Sequence, residues 1–366
     1  MKLLYIIPNI NNEGGVARVL SVKTNYLIEQ LGYEVHILTQ NDGFSPLFYP
    51  FNKTIIFHDM LLTGTAIGFF NLYQNALKTK VKTIQPDVII VCDNGLKAYL
   101  IPFVLKNKIP LILEMHSSRF IEEREVKKNI FTKVTSIFRS ILKTRGIKKY
   151  DQFVVLTSES VKEWNVKNTL VIPNPLWFTT EKQNALQNKK VIAVGRHTYE
   201  KGFDRMLAIW SKVLINHPDW SLDIYGKSTE NLDLRLIAKN LDICNTISFL
   251  EPVQNIEEKY LEASFYLMTS RFEAFGMVLI EAMAAGLPIV AYDCPSGPRG
   301  IVTPNENGFL IENGNESDYV QAVEALIENV TLRQQMGEKA KLSSEKYNID
   351  VIMQTWNELF IGIKKN

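Results

Sequence analysis

Ser270-Arg-Phe-Glu-Ala-Phe-Gly-Met-Val-Leu-Ile-Glu-Ala-Met-Ala-Ala-Gly286, followed by Leu-Pro-Ile-Val-Ala291, is the stretch from which the rest of the chain can be read. From Met277 to Ala285 every residue is apolar except Glu281. A helix that is apolar on all sides belongs inside a protein, so this pattern places a carboxylate on a buried helix. An ionised carboxylate taken out of water needs a partner, from the fold or from a ligand. Glu273, eight positions earlier, would lie about 80° away from Glu281 around one continuous helix, so the two acids would not align on it. The simpler geometry puts Glu273 on the loop that enters the helix and Glu281 about a turn inside it. Both then face one cleft, with the amides of Phe275, Gly276 and Met277 unpaired at a helix N-terminus, where phosphate binds well. The plain alternative is a solvated Glu on an amphipathic helix, but there is no second polar residue to make a wet face.

The run from Ser270 to Val290 resembles the E-x7-E signature of retaining glycosyltransferases, and its flanks are similar to glycosyltransferase family 4. The resemblance implies the GT-B fold, an α/β architecture of two facing Rossmann-like domains with a deep cleft between them. It also implies that Glu273 meets hydroxyls of a donor sugar and Glu281 the ribose of its nucleotide. Ala274 and Gly300 stand where the family commonly has Gly and an acidic residue, which bears on the local donor loop and the sugar identity.

The 366 residues exceed what one hydrophobic core usually supports, so two domains of about 150 to 200 residues are expected. With 46% hydrophobic and 22% charged residues and a net charge of +2, the chain reads as globular, without the broad basic signature of a nucleic-acid binder. Cys92, Cys244 and Cys294 have no metal-ligand spacing and read as packing residues in a reducing compartment. The opening Lys-Leu-Leu-Tyr-Ile-Ile-Pro is too short for a signal sequence and reads as a first strand. No apolar run reaches transmembrane length, and a cytoplasmic protein, possible also at the inner face of the cell membrane, is expected.

Leu3 to Ile7, a loop, a helix from Val16 to Leu31 and the strand beginning Tyr-Glu-Val-His-Ile-Leu form a β-α-β opening of the doubly wound kind. Further strands are predicted at Thr54 to His58, Pro86 to Asp93, Ile109 to His116 and Asp151 to Ser158, their continuous apolar runs suiting a covered parallel sheet. Asp93, Asn94 and His116 then fall at the carboxyl edge, where open sheets bind ligands. Gly14 and Gly15 would let a ligand approach the backbone at the start of the first helix, or simply make a turn. By resemblance, Gly14, Gly15 and Arg18 line the cleft near donor phosphates and His116 lies beside the donor sugar.

Residues 126–149 hold eight Lys or Arg and no acid, with apolar residues at helical spacing. Such a helix could lie on an anionic membrane, or pack its apolar stripe on the sheet with its lysines in water. The polar stretch Trp177 to Lys190 reads as the interdomain linker. The predicted domains are 1–175 with a returning helix at about 350–366, for the acceptor, and 190–349 for the donor.

In the second domain a strand from Lys190 to Gly195 precedes Arg196 and Lys201, two cations on one loop. A departing diphosphate needs positive charge, and these residues resemble the family's G-R-x4-K-G element. No Asp-x-Asp marks a metal site on a strand end, so neither a metal nor a cofactor is expected beyond the nucleotide-sugar co-substrate. The expected function is a metal-independent, retaining hexosyltransferase, with a UDP-linked donor expected ahead of a GDP-linked one and a glycan or lipid-linked acceptor in surface polysaccharide or glycoconjugate synthesis. A GT-B UDP-N-acetylhexosamine epimerase and a non-catalytic GT-B partner subunit are the rival readings.

Overall fold

The structure is a computed structural model that describes residues 1–43, 46–63, 66–106, 109–119, 130–182, 184–228 and 232–364. The chain divides into two compact units, Met1–Pro175 with Ile349–Asn366, and Leu176–Asn348. Each unit is an α/β doubly wound fold of the Rossmann kind.

In the first unit the order is β1 (Lys2–Ile6), α1 (Gly15–Glu29), β2 (Glu34–Gln40), β3 (Ile56–Met60), α2 (Ala66–Ile84), β4 (Val88–Val91), α3 (Leu96–Leu105), β5 (Leu111–Glu114), α4 (Ile130–Ile147), β6 (Gln152–Val155), α5 (Ser158–Trp164) and β7 (Thr169–Val171). The strands form one parallel sheet in the order β3-β2-β1-β4-β5-β6-β7, with Leu3 opposite both Val35 and Val88. Its strands are apolar on both sides because both faces are covered. On one face Leu4, Ile89 and Leu113 pack with Leu77 and Tyr99 of α2 and α3. On the other, Tyr5, Ile90 and Ile112 pack with Leu20 of α1 and with Ile352, Trp356 and Phe360 of the returning C-terminal helix.

The second unit runs β8 (Lys190–Val194), α6 (Phe203–Asn216), β9 (Ser221–Tyr225), α7 (Leu234–Asn240), β10 (Ile247–Leu250), α8 (Ile256–Leu261), β11 (Phe265–Met268), α9 (Met277–Ala284), β12 (Ile289–Asp293), β13 (Gly308–Glu312), α10 (Glu316–Glu328) and α11 (Val330–Ser344). The final helix, α12 (Ile349–Lys364), belongs to the first unit. The second sheet is also parallel, in the order β10-β9-β8-β11-β12-β13. Its strand order reverses between β8 and β11, which sets the loops after those two strands side by side at the carboxyl edge, the position where such sheets take ligands.

Two sequence expectations are corrected, and a third falls largely outside the described residues. The stretch after Leu176 is no linker: Asn184 donates to the carbonyls of Tyr260 and Ala263, and buried Leu186 gives its carbonyl to Arg333, so the segment is built into the second unit. Cys244 is exposed on a short turn before β10, while Cys92 and Cys294 are buried. The basic stretch 126–149 lies outside the described residues up to 129, and the side chains of 130–138 lie outside them too. What is described of α4 packs through Gly146, where an added Cβ would lie 2.3 Å from the Tyr99 carbonyl oxygen, and leaves Ile141 46% exposed. Among the described residues, no helix is long and apolar enough to cross a membrane.

Candidate active site

The loop after β8 carries Arg196 and, in a single 3-10 turn Tyr199–Lys201, the second cation. The loop after β11 carries Ser270 to Gly276 and feeds α9. Lys201 Nζ meets Glu273 Oε2 at 2.6 Å, and Ser270 Oγ donates to the same oxygen at 3.4 Å. Glu273 is also fixed through its backbone: Gly297 N donates to its carbonyl at 2.8 Å, and Ser296 bridges beside it with φ of 76°. Gly297 must be glycine there, since a Cβ would sit 2.5 Å from the Phe275 oxygen.

Gly276 opens α9 with φ of 96°, a left-handed conformation that favours glycine. Among the described residues, no acceptor meets the amides of Phe275, Gly276 or Met277. Those donors are available to an anion at the helix start. Phe275 itself is buried edge-on against Tyr347.

Glu281 lies one turn into α9 and is 5% exposed, so its charge needs compensation. Two neutral donors supply it. Trp177 Nε1 donates to Oε1 at 2.9 Å and Tyr260 Oη to Oε2 at 3.0 Å. Neither Trp177 nor Tyr260 was marked by the sequence reading; Trp177 sits in the supposed linker, 104 positions from its partner. The two acids share a neighbour in Tyr266 of β11. Burial first, and after a counteracting hydrogen bond from Val194 the carboxylates of Glu273 and then Glu281, push its hydroxyl well above the usual phenol range.

Arg196 is exposed at the end of β8, and no described side chain pairs with its guanidinium. The structure therefore brings Lys201 onto Glu273, keeps Glu281 on separate partners and leaves Arg196 outside both contacts.

Gly14, Gly15 and His116 belong to the first unit. Gly14 caps α1, where Asn12 Oδ1 accepts from its amide at 2.8 Å and an added Cβ would fall 2.6 Å from that oxygen. Gly15 is the first helical residue, and Arg18 stacks over Tyr49 at 4.3 Å. His116 Nε2 lies 3.3 Å from Glu114 Oε1, and both Glu114 oxygens meet the fully buried Lys23 ammonium at 2.7 and 2.8 Å. Burial opposes the charge on Glu114, but Lys23 and then His116 bring its carboxyl far below the usual range. Cys92, Glu114 and His116 offer ligand-type atoms within 4.8 Å of one another. The ammonium already covers the carboxylate there, so a metal would have to displace a buried lysine.

Residues 178–343 match the family model described as glycosyl transferases group 1. A Haemophilus influenzae protein described as an uncharacterized glycosyltransferase is 32% identical over 362 residues, covering 97% of this chain and 98% of that one. The amylovoran biosynthesis glycosyltransferase AmsD of Erwinia amylovora is 28% identical over 372 residues, covering 98% and 99%. Among solved structures, Anabaena HepE in complex with UDP and glucose superposes with a TM-score of 0.80 at 17% identity, covering 99% of this chain and 100% of that one.

Proposed function

This chain belongs to the glycosyl transferases group 1 family, has the GT-B fold and is a glycosyltransferase, and on that premise we propose that it transfers a hexose from a UDP-linked donor with retention of anomeric configuration. The observation that carries the proposal is the 2.6 Å contact of Lys201 with Glu273 beside the unpaired amides that open α9. The sugar's diphosphate competes for the Lys201 charge and takes those amides, while Arg196, exposed on the same loop, adds a planar fork for phosphate oxygens. Glu281, held by two neutral donors, meets the ribose hydroxyls, and Glu273 disperses positive charge at the anomeric carbon. The bond from that carbon to the β-phosphate oxygen breaks as the acceptor oxygen approaches from the same side, and the acceptor proton passes to the departing phosphate. In this reading no metal or cofactor takes part.

The acceptor is a glycan or lipid-linked glycan of surface polysaccharide synthesis, a reading supported by the name of the relative AmsD. The test is release of nucleoside diphosphate from a panel of UDP- and GDP-hexoses, with and without acceptor extracts. Acceptor-dependent release of UDP supports the transferase. Donor turnover that ignores acceptor points to an epimerase, and wild-type turnover by Glu273→Gln overturns the catalytic assignment.

A further inference from the structure

The loop with the cations and the loop with Glu273 are joined by more than the Lys201–Glu273 contact. Arg271 Nη1 donates to Asp204 Oδ1 at 2.8 Å and Nη2 to Oδ2 at 2.6 Å, a two-pronged ion pair between the acidic loop and the first turn of α6. The same Nη1 donates to the Tyr199 carbonyl at 2.8 Å, the guanidinium lies 3.8 Å over the Tyr199 ring, and the Arg271 amide donates to the Glu200 carbonyl at 2.7 Å. One residue earlier than Ser270, Thr269 Oγ1 donates to the Gly202 carbonyl at 2.8 Å. Gly202 is held so close, at φ of 66°, that a Cβ would fall 2.2 Å from the Thr269 oxygen.

These contacts bracket the proposed reacting groups. Lys201 is flanked by Tyr199, Glu200, Gly202 and Asp204, all tied to residues 269 to 271, and Glu273 follows Arg271 by two positions. We propose that Arg271 and Asp204 are positioning residues that lock the phosphate-binding loop to the acidic loop, so that Lys201 and Glu273 meet a nucleotide sugar at a fixed separation. The proposal rests on the donor site described above and adds a reason for its stability during turnover. When a diphosphate draws on the Lys201 charge, the ion pair with Glu273 weakens, and the Arg271 fork keeps the two loops in register. A fork is required because a single point charge would allow rotation about one bond.

The experiment is a double-mutant cycle of Arg271→Met and Asp204→Asn, with Arg271→Lys as the conservative variant, assayed on the sugar nucleotide that wild-type enzyme turns over best. Misplacement of catalytic groups by about 1 Å is worth on the order of 10²-fold in rate, so each single variant should lower kcat by roughly 10- to 100-fold with donor KM within about threefold. The double variant should be no slower than the worse single one, and Arg271→Lys should recover only part of the rate. Hydrogen exchange, read without any ligand, should speed up at residues 196–204 and 269–276 in both single variants and stay unchanged elsewhere. Additive losses, or exchange at wild-type rates in those two segments, overturn the lock. Faster exchange in a chain that binds neither UDP nor GDP would leave the loops coupled but remove the donor reading, and with it the positioning role.

Discussion

Lys201 and Glu273 neutralise one another at 2.6 Å with side chains 22% and 14% exposed, so changing either leaves the other as a lone, half-buried charge. Glu273→Gln should lower turnover by about 10²- to 10³-fold, the size of loss seen when one preorganised electrostatic group is removed, while UDP affinity measured by calorimetry should hold or rise, because the competitor for the Lys201 charge is gone. Lys201→Ala should weaken UDP binding as well, because the lysine is the group assigned to the phosphates. Glu281 calls for a different measurement. Trp177→Phe removes one of its two donors and should destabilise the fold by about 1–3 kcal/mol in urea unfolding, the cost of a buried acceptor left short. That tryptophan was invisible to the sequence reading because no local pattern marks a loop residue whose partner is 104 positions away. Glu281 was legible, since one charge in an apolar helix has to be explained by something.

Elements carry charge couplings that periodicity cannot show. In the sequence, α1 is simply a helix, and nothing distinguishes Lys23 from a surface lysine; the fold buries it against Glu114 of β5 and 3.6 Å over the ring of Trp356 of α12. Likewise α3 carries no amphipathic period, being apolar nearly all round and containing Pro102. Lys23→Met strands a buried carboxylate and should cost about 3–5 kcal/mol, while Lys23→Met with Glu114→Gln should recover much of it, both read by urea unfolding. Since the folded Glu114 carboxyl is depressed, its contribution is fully present above the unfolded value of about 4.5 and is lost as pH falls toward the lower folded one. The β2–β3 edge adds a second acid response. His36 Nδ1 lies 2.9 Å from His58 Nε2 with the rings stacked, and burial, then the charges of His36 and Lys80, lower His58 to about 4. A depressed histidine favours the folded state while neutral, so stability from this site should fall as pH drops from 6.5 toward 4. His58→Asn should flatten that part of the profile of urea midpoint against pH; an unchanged slope between those values would place the acid response elsewhere.

At the scale of the molecule, what the sequence made plain was the alternation of apolar strands with helices, because strands covered on both faces cannot hide their composition. Residues with partners far along the chain stayed hidden, and so did the division of labour on the surface. The family premise and the proposed lipid-linked acceptor together raise the question of where the protein meets its substrate, and the basic stretch 126–149 offers an answer that can be tested. In the described part of α4, Arg139 and Ile141 are exposed while Ile147 is buried, so the helix has an inner side on α3 and an outer side that is cationic and partly apolar. A basic residue near an anionic leaflet contributes on the order of 1 kcal/mol, so replacing Lys127, Lys128, Lys133 and Arg139 by Ser should lower partition onto phosphatidylglycerol-containing vesicles by about a hundredfold or more at low salt. Because exposed charges are screened within about 10 Å at 0.1 M ionic strength, wild-type binding should also fall steeply as salt rises. Sedimentation with vesicles, with donor turnover in solution as the control for folding, separates the two readings of this helix. Partition that the four substitutions leave unchanged would leave the basic stretch without a membrane role and move the acceptor's docking site elsewhere.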